Sequence, residues 1–204
     1  PHIWAQYCTD VHHLTHDLQT QSGLRDRWTA ACLGETGIDC FDAWAKELAE
    51  TGYLHNHARM WFASIWAYTL QLPWQLGADF FLRHLLDGDA ASNTLSWRWV
   101  VGLHSVGKTY LARAENIQRF TNGRFAPKGL AQVAPPLNDT AHTTRPKIID
   151  PPNRYLDGHK TGFLLHSEDL NIAHLTHYND CIASAVYRPI DTDTMLAVSY
   201  THLT

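Results

Sequence analysis

Apolar positions recur every three or four residues at the start of the chain. Ile3, Tyr7, Val11, Leu14 and Leu18 share one helical face, and a second helical stretch runs on through Trp28. Gly34-Glu35-Thr36-Gly37 interrupts the pattern. A helix is predicted over about 41–50, with Gly52 in the glycine position that commonly follows a helix C-terminus. Residues 55–70 read as one long apolar helix, ended by Leu72-Pro73-Trp74 because proline cannot continue the backbone ladder. A further helix is expected over 75–86, with Phe80, Phe81, Leu85 and Leu86 as its apolar stripe. The turn Asp87-Gly88-Asp89 then leads to helices over 90–101 and 110–121, separated by a glycine-containing loop.

Nothing up to residue 122 alternates as a strand does, so this part is expected to be all-α. Beyond it the composition changes. Pro127, Pro135, Pro136, Pro146, Pro151 and Pro152 stand among polar residues, which predicts a tail that becomes a linker over 126–156. Thr161-Gly162-Phe163-Leu164-Leu165-His166 is expected to be a strand opening a further unit over 157–197. Residue 1 is proline, so the chain is expected to start inside a longer one. The last stretch, 198–204 (Val198-Ser199-Tyr200-Thr201-His202-Leu203-Thr204), resembles translated sequencing-adaptor read-through and is expected to carry no biological meaning.

Composition narrows the class. With 204 residues, 45% of them hydrophobic and eight tryptophans, the chain can build a sizeable core and is not a disordered tail. The formal charge of −4 gives no global basic field. A local one exists: Arg98 to Lys128 holds six Lys or Arg against one acid, Glu115, as a phosphate-facing surface or a solvated face would. Cys8, Cys32, Cys40 and Cys181 have no CxxC spacing, which predicts reduced thiols in a cytoplasmic protein. The apolar run from Met60 to Leu72 is too short to span a bilayer, so no membrane partner is expected.

The candidate chemistry lies in three motifs. Thr51-Gly52-Tyr53-Leu54-His55-Asn56-His57-Ala58-Arg59-Met60 puts an amide (Asn56), a fixed cation (Arg59) and a thioether (Met60) on one helical face. Asp87-Gly88-Asp89-Ala90-Ala91-Ser92-Asn93 follows about thirty residues later. It is not a calcium loop, since Ser92 stands at the glycine position and Arg98 where glutamate is required; Asp89 is also a natural helix cap. Third, Trp97-Arg98-Trp99 places Trp97 four residues after Asn93. His55 and His57, two apart, are not expected to share a metal ion. A rival reading is Gly102-Leu103-His104-Ser105-Val106-Gly107-Lys108-Thr109, which fits the phosphate-binding G-x-x-x-x-G-K-T pattern. It requires a strand before the loop and a helix after it.

In this order and at this spacing, the three motifs resemble the C-terminal half of the FAD-binding domain of the DNA photolyases and cryptochromes. The resemblance is strong over about 25–125. It implies an all-α domain over 1–125 and FAD as cofactor, and for a longer parent protein a light-driven carbon–carbon lyase acting on pyrimidine dimers in damaged DNA. The alternative is a cryptochrome-like photoreceptor without repair activity. The cofactor-binding residues it implies are Asn56, Arg59, Asp87, Asp89 and Asn93, with Arg59 paired to Asp87. For the lesion and DNA it implies Asn56, His57, Met60 and Trp99. Asn93 would face the reactive part of the flavin, where plant cryptochromes carry Asp and animal ones Cys. Trp97 and Trp74 would be the first two members of an electron relay, while the position of the third falls at Gln21, leaving Trp28 as another exit. Cyclobutane-dimer enzymes usually have Arg where His57 stands; six-four enzymes have His at Asn56 and Met60. The family's phosphate-binding Thr-Ser-x-Leu-Ser segment is not in this sequence. A monomer is expected.

Overall fold

The computed structural model describes residues 2–105 and 107–137, together with the backbone of 161–166 and 181–187. The chain divides into two units, the described residues up to 137 in the first and both strands in the second. In the first, seven α-helices and two π-helical segments are described: α1 (His2–Thr20), α2 (Ser22–Leu33), α3 (Asp39–Thr51), α4 (Asn56–Ser64), α5 (Trp74–His84), α6 (Trp97–Val100) and α7 (Ala114–Phe120). The all-α expectation holds for this unit. In the second unit, β1 (Thr161–His166) pairs in parallel with β2 (Cys181–Tyr187), a strand that the sequence pattern did not mark. The proline-rich segment expected as a linker lies outside the described residues after 137.

Several helices end where the sequence says they must. Gly52 closes α3 with φ 69°, a left-handed conformation that glycine adopts without steric cost, and its N–H bonds the Leu48 carbonyl. At the other end of α3, Asp42 folds the preceding loop back on the helix. Its carboxylate accepts from Thr36 N (2.9 Å), Thr36 Oγ1 (2.6 Å) and Gly37 N (2.8 Å).

Three expectations need correction. The apolar helix is α-helical only over α4; Ile65–Thr69 widens into a π-helical segment, with Leu70 N bonded to the Ile65 carbonyl at 2.9 Å. The helix expected over 90–101 is a π-helical segment, Ala90–Leu95, followed by the single turn of α6. The helix expected over 110–121 begins only at Ala114. Before it the chain has no regular secondary structure, and Ala112 N donates to Ser64 Oγ (2.8 Å), which satisfies a fully buried hydroxyl on α4.

The core is aromatic. Phe41 of α3 stacks on Phe62 of α4 at 4.2 Å, and Trp44 on Trp61 at 5.7 Å. Trp66, in the first π-helical segment, is completely buried and meets Trp97 edge-on at 6.2 Å. Helix α5 runs beneath these rings with Gly77 facing them; a Cβ there would lie 2.4 Å from Trp97 Cη2 and 2.9 Å from Trp66 Cδ2. The segment after α7 also packs on the unit. Leu130 is buried, Ala131 N donates to Thr69 Oγ1 (3.1 Å), and Leu137 N to the Val101 carbonyl (3.1 Å).

Candidate functional site

A cleft of 260 Å³ opens between α4 and the segment from Ser92 to Val100. Its walls bring together Asn56, Arg59, Met60, Asn93, Trp97 and Trp99. Asp87, Asp89, His57 and Trp74 do not line it. Ala63, Phe81, Ser92, Ser96 and Val100 do, although none of them was a predicted site residue. The small side chains among them leave room for a ligand against the wall.

Arg59 organises one end. Its Nη1 and Nη2 reach the two carboxylate oxygens of Asp87, each at 3.1 Å, in a forked pair. Nη1 also donates to Asn93 Oδ1 at 2.7 Å, and Nε to the Leu54 carbonyl at 2.8 Å. The Asn93 amide donates in turn to the Asp87 carbonyl. Asn93 is thus held at both ends of its amide and lines the cleft. Asp87 itself is exposed, so its pairing orients Arg59 more than it stabilises the chain.

Asp89 has a structural task. One carboxylate oxygen accepts from Ala91 N (2.9 Å), Ser92 N (2.6 Å) and Ser92 Oγ (2.9 Å), capping the π-helical segment that carries Asn93. These bonds, chiefly that from the Ser92 backbone, hold the Asp89 carboxyl below the usual carboxylate range. A depressed folded-state pKa means that the cap's contribution is complete above the unfolded pKa, about 3.9, and is lost as pH falls through the lower folded value. Amide exchange at Ala91 and Ser92 is therefore expected to accelerate, relative to α3 amides, as pH drops below about 4. Asp89→Asn should remove most of that acid dependence; an unchanged profile would mean that Asp89 is not the titrating cap.

The tryptophans occupy different settings. Trp97 is buried, boxed in by Phe81 (5.0 Å), Trp66 and Phe62 (6.4 Å), and its Nε1–H has no acceptor among the described residues. Trp99 is exposed at the cleft mouth and stacks on Tyr110 at 5.5 Å. Trp74 lies apart, at the start of α5, with the Arg98 guanidinium 6.0 Å from its ring centre. Arg98 is half-buried, whereas Lys108, Arg113, Arg119, Arg124 and Lys128 are exposed.

His57 belongs to a separate surface stack, parallel to His55 (5.5 Å, 13°) and Phe120 (6.3 Å, 5°). The two histidines face each other because His55 sits outside the helix as its N-cap, accepting from His57 N at 3.3 Å. No group of three metal-ligating side chains occurs among the described residues. The rival phosphate-loop reading fails on geometry: α6 precedes the loop, no helix opens at Thr109, and the Thr109 hydroxyl donates to the Ala134 carbonyl at 2.8 Å.

A family model described as the FAD binding domain of DNA photolyase matches residues 2–129. The chain belongs to that family. The deoxyribodipyrimidine photo-lyase of Streptomyces griseus is 48% identical over 69 residues, 34% of this chain and 15% of that protein. That of a Synechococcus strain is 38% identical over 81 residues, 40% of this chain and 16% of that protein. Cryptochrome-1 of Arabidopsis thaliana is 36% identical over 96 residues, 47% of this chain and 14% of its own length. The chain thus spans about a sixth or less of the curated relatives it matches. No solved structure matches it. No helix among the described residues is long and apolar enough to cross a membrane.

FAD is the family's cofactor, and the cleft suits part of it. Pockets for drug-sized ligands measure about 300–1,000 Å³, so 260 Å³ takes a flat ring system rather than the entire dinucleotide. The unpaired Trp97 Nε1–H is a buried donor that a ligand carbonyl or ring nitrogen could satisfy.

Proposed function

We propose that the cleft seats the isoalloxazine end of FAD, and that the parent protein splits pyrimidine dimers in DNA by light-driven electron transfer. The observation that carries this reading is that Asn93 and Trp97 line the same cleft as Asn56 and Met60. When bound, FAD supplies the photochemistry. The chain's residues do the rest. Arg59 holds Asn93 against the flavin edge, and Asp89 acts from outside by capping the segment that carries Asn93. Asn56, Met60 and exposed Trp99 meet a base flipped out of the duplex, where stacking on an aromatic ring is worth ~1–3 kcal/mol. Trp97 is the electron donor nearest the flavin, Trp74 a later one. The protein acts as a monomer in the cytoplasm.

Flavin binding and dimer splitting by the parent protein under blue light test the proposal. Trp97→Phe is expected to slow light-driven bleaching of the flavin band by about tenfold or more, equivalent to ~1.4 kcal/mol or more in barrier. Bleaching without dimer splitting would favour the photoreceptor reading, for which the seating of His57 in a surface stack, away from the cleft, is the supporting observation. A parent with no bound flavin would sink both.

A further inference from the structure

Helix α1 carries three histidines close together, His12, His13 and His16, and all of them are exposed. Each residue of an α-helix advances about 100° around the axis, so His16 falls about 40° from His12 on one side and about 60° from His13 on the other. With Thr15, Asp17 and Gln19 they line a concavity of 400 Å³. The His12 and His13 ring centres are 6.2 Å apart and the rings are tilted by 55°, so they do not stack. None of the three rings has a hydrogen-bond or ion-pair partner among the described residues. Their nitrogens are therefore available to a ligand.

A solvated helix face does not need this arrangement. Solubility on such a face is ordinarily supplied by Lys, Arg and Glu, which are also better helix formers than His. Helix α1 contains none of the three; its charged side chains other than histidine are Asp10 and Asp17. The pair His12 and His16 stands at i, i+4, the spacing at which two imidazoles on one helix reach a single transition-metal ion. Their Cβ atoms lie about 5–6 Å apart at that spacing, which two metal–nitrogen bonds of about 2.0–2.1 Å can span. His55 and His57 give the contrast. Those rings stack in parallel at 5.5 Å, and His55 already accepts from His57 N at 3.3 Å, so that pair satisfies itself.

We propose that His12 and His16 chelate a divalent transition-metal ion on the outer face of α1, with water in the remaining coordination positions. Imidazole favours copper, nickel and zinc, whereas magnesium and calcium take oxygen ligands. Two protein ligands make an open, exchangeable site, in contrast to the closed four-ligand sites that hold structural zinc. The Asp17 carboxylate on the same wall favours a dication there. The chelating geometry exists only while α1 is helical, so the ion binds the folded chain better than the unfolded one and stabilises it. None of these residues lines the cleft, so the site stands apart from the flavin reading.

Copper(II) is the probe, because imidazole sites hold it most tightly among the first-row divalent ions, and its electron paramagnetic resonance spectrum counts the nitrogens bound. The full-length protein, titrated with copper(II) chloride at neutral pH, is expected to take up one ion on two imidazole nitrogens and to melt at a higher temperature with it. His12→Gln and His16→Gln should each weaken this binding about tenfold or more, since the second imidazole of a chelate binds at a high effective concentration. Each should also lower the nitrogen count by one and remove the rise in melting temperature. His13→Gln should keep both nitrogens. All three positions are exposed, so without copper the variants should keep the wild-type melting curve. Wild type that binds copper no more tightly than the double variant His12→Gln/His16→Gln overturns the proposal. So does a loss in His13→Gln equal to that in His16→Gln, which would put the ion on the i, i+3 pair instead.

Discussion

Gly77→Val is expected to destabilise the helical unit by about 3 kcal/mol, since overpacking a filled core typically costs 1–3 kcal/mol and occasionally more. Gly77 lies within α5, where glycine itself is unfavourable by about 1 kcal/mol relative to alanine. Propensity alone would therefore make Gly77→Ala stabilising. The packing decides otherwise. A Cβ would stand 2.4 Å and 2.5 Å from two carbons of the Trp97 ring. That ring can yield only toward the cleft, because Phe81, Trp66 and Phe62 pack against it. Alanine must push the ring toward the cleft; valine adds two more carbons to the same space. At ~2–4 °C per kcal/mol for a chain of this size, the valine variant should melt about 6–12 °C lower. The alanine variant should fall between it and wild type. Equal melting temperatures for all three proteins would show that Trp97 is free to move.

That glycine illustrates where the sequence was legible and where it was not. Nothing in its local sequence says which ring uses the space beside it, because that depends on a residue twenty positions away. Elements whose signal is local were readable: the Gly52 terminus, the Pro73 break and the Asp89 cap each follow from one residue's backbone chemistry. The π-helical segments were not, because each keeps a helical run of apolar positions and shifts only the hydrogen-bond partner by one. Counting four residues from Asn93 to Trp97 assumed α-helical geometry across such a segment, although both side chains still reach the same cleft. The Arg59–Asp87 pair was expected from the resemblance; the bond from Arg59 to Asn93 was not, since nothing in spacing says that one guanidinium serves both. Gap-free counting led the relay to Gln21, an exposed residue at the junction of α1 and α2.

Arg59→Ala is expected to cost about 2–3 kcal/mol of stability and to weaken FAD binding roughly 30-fold, the equivalent of ~2 kcal/mol. The estimate follows from what each bond faces. The fork to Asp87 is largely exposed, so it contributes about 0–1 kcal/mol. The bonds to Asn93 Oδ1 and the Leu54 carbonyl are shorter, lie on the half-buried side of the guanidinium, and involve a charged donor, a class worth about 1.5–3 kcal/mol each before solvent reaches the vacated space. Most of the loss therefore comes from Asn93 and the α4 N-terminus rather than from the ion pair. Asp87→Ala separates the two contributions and should cost less than about 1 kcal/mol. Arg59→Lys should recover little, because a single ammonium cannot serve Leu54, Asp87 and Asn93 from one point. Urea denaturation gives the stabilities, and flavin fluorescence quenching gives the affinities. If Arg59→Ala and Asp87→Ala fell equally in both, the Arg59–Asn93 bond would contribute nothing, and Asn93 would be positioned by its own backbone alone.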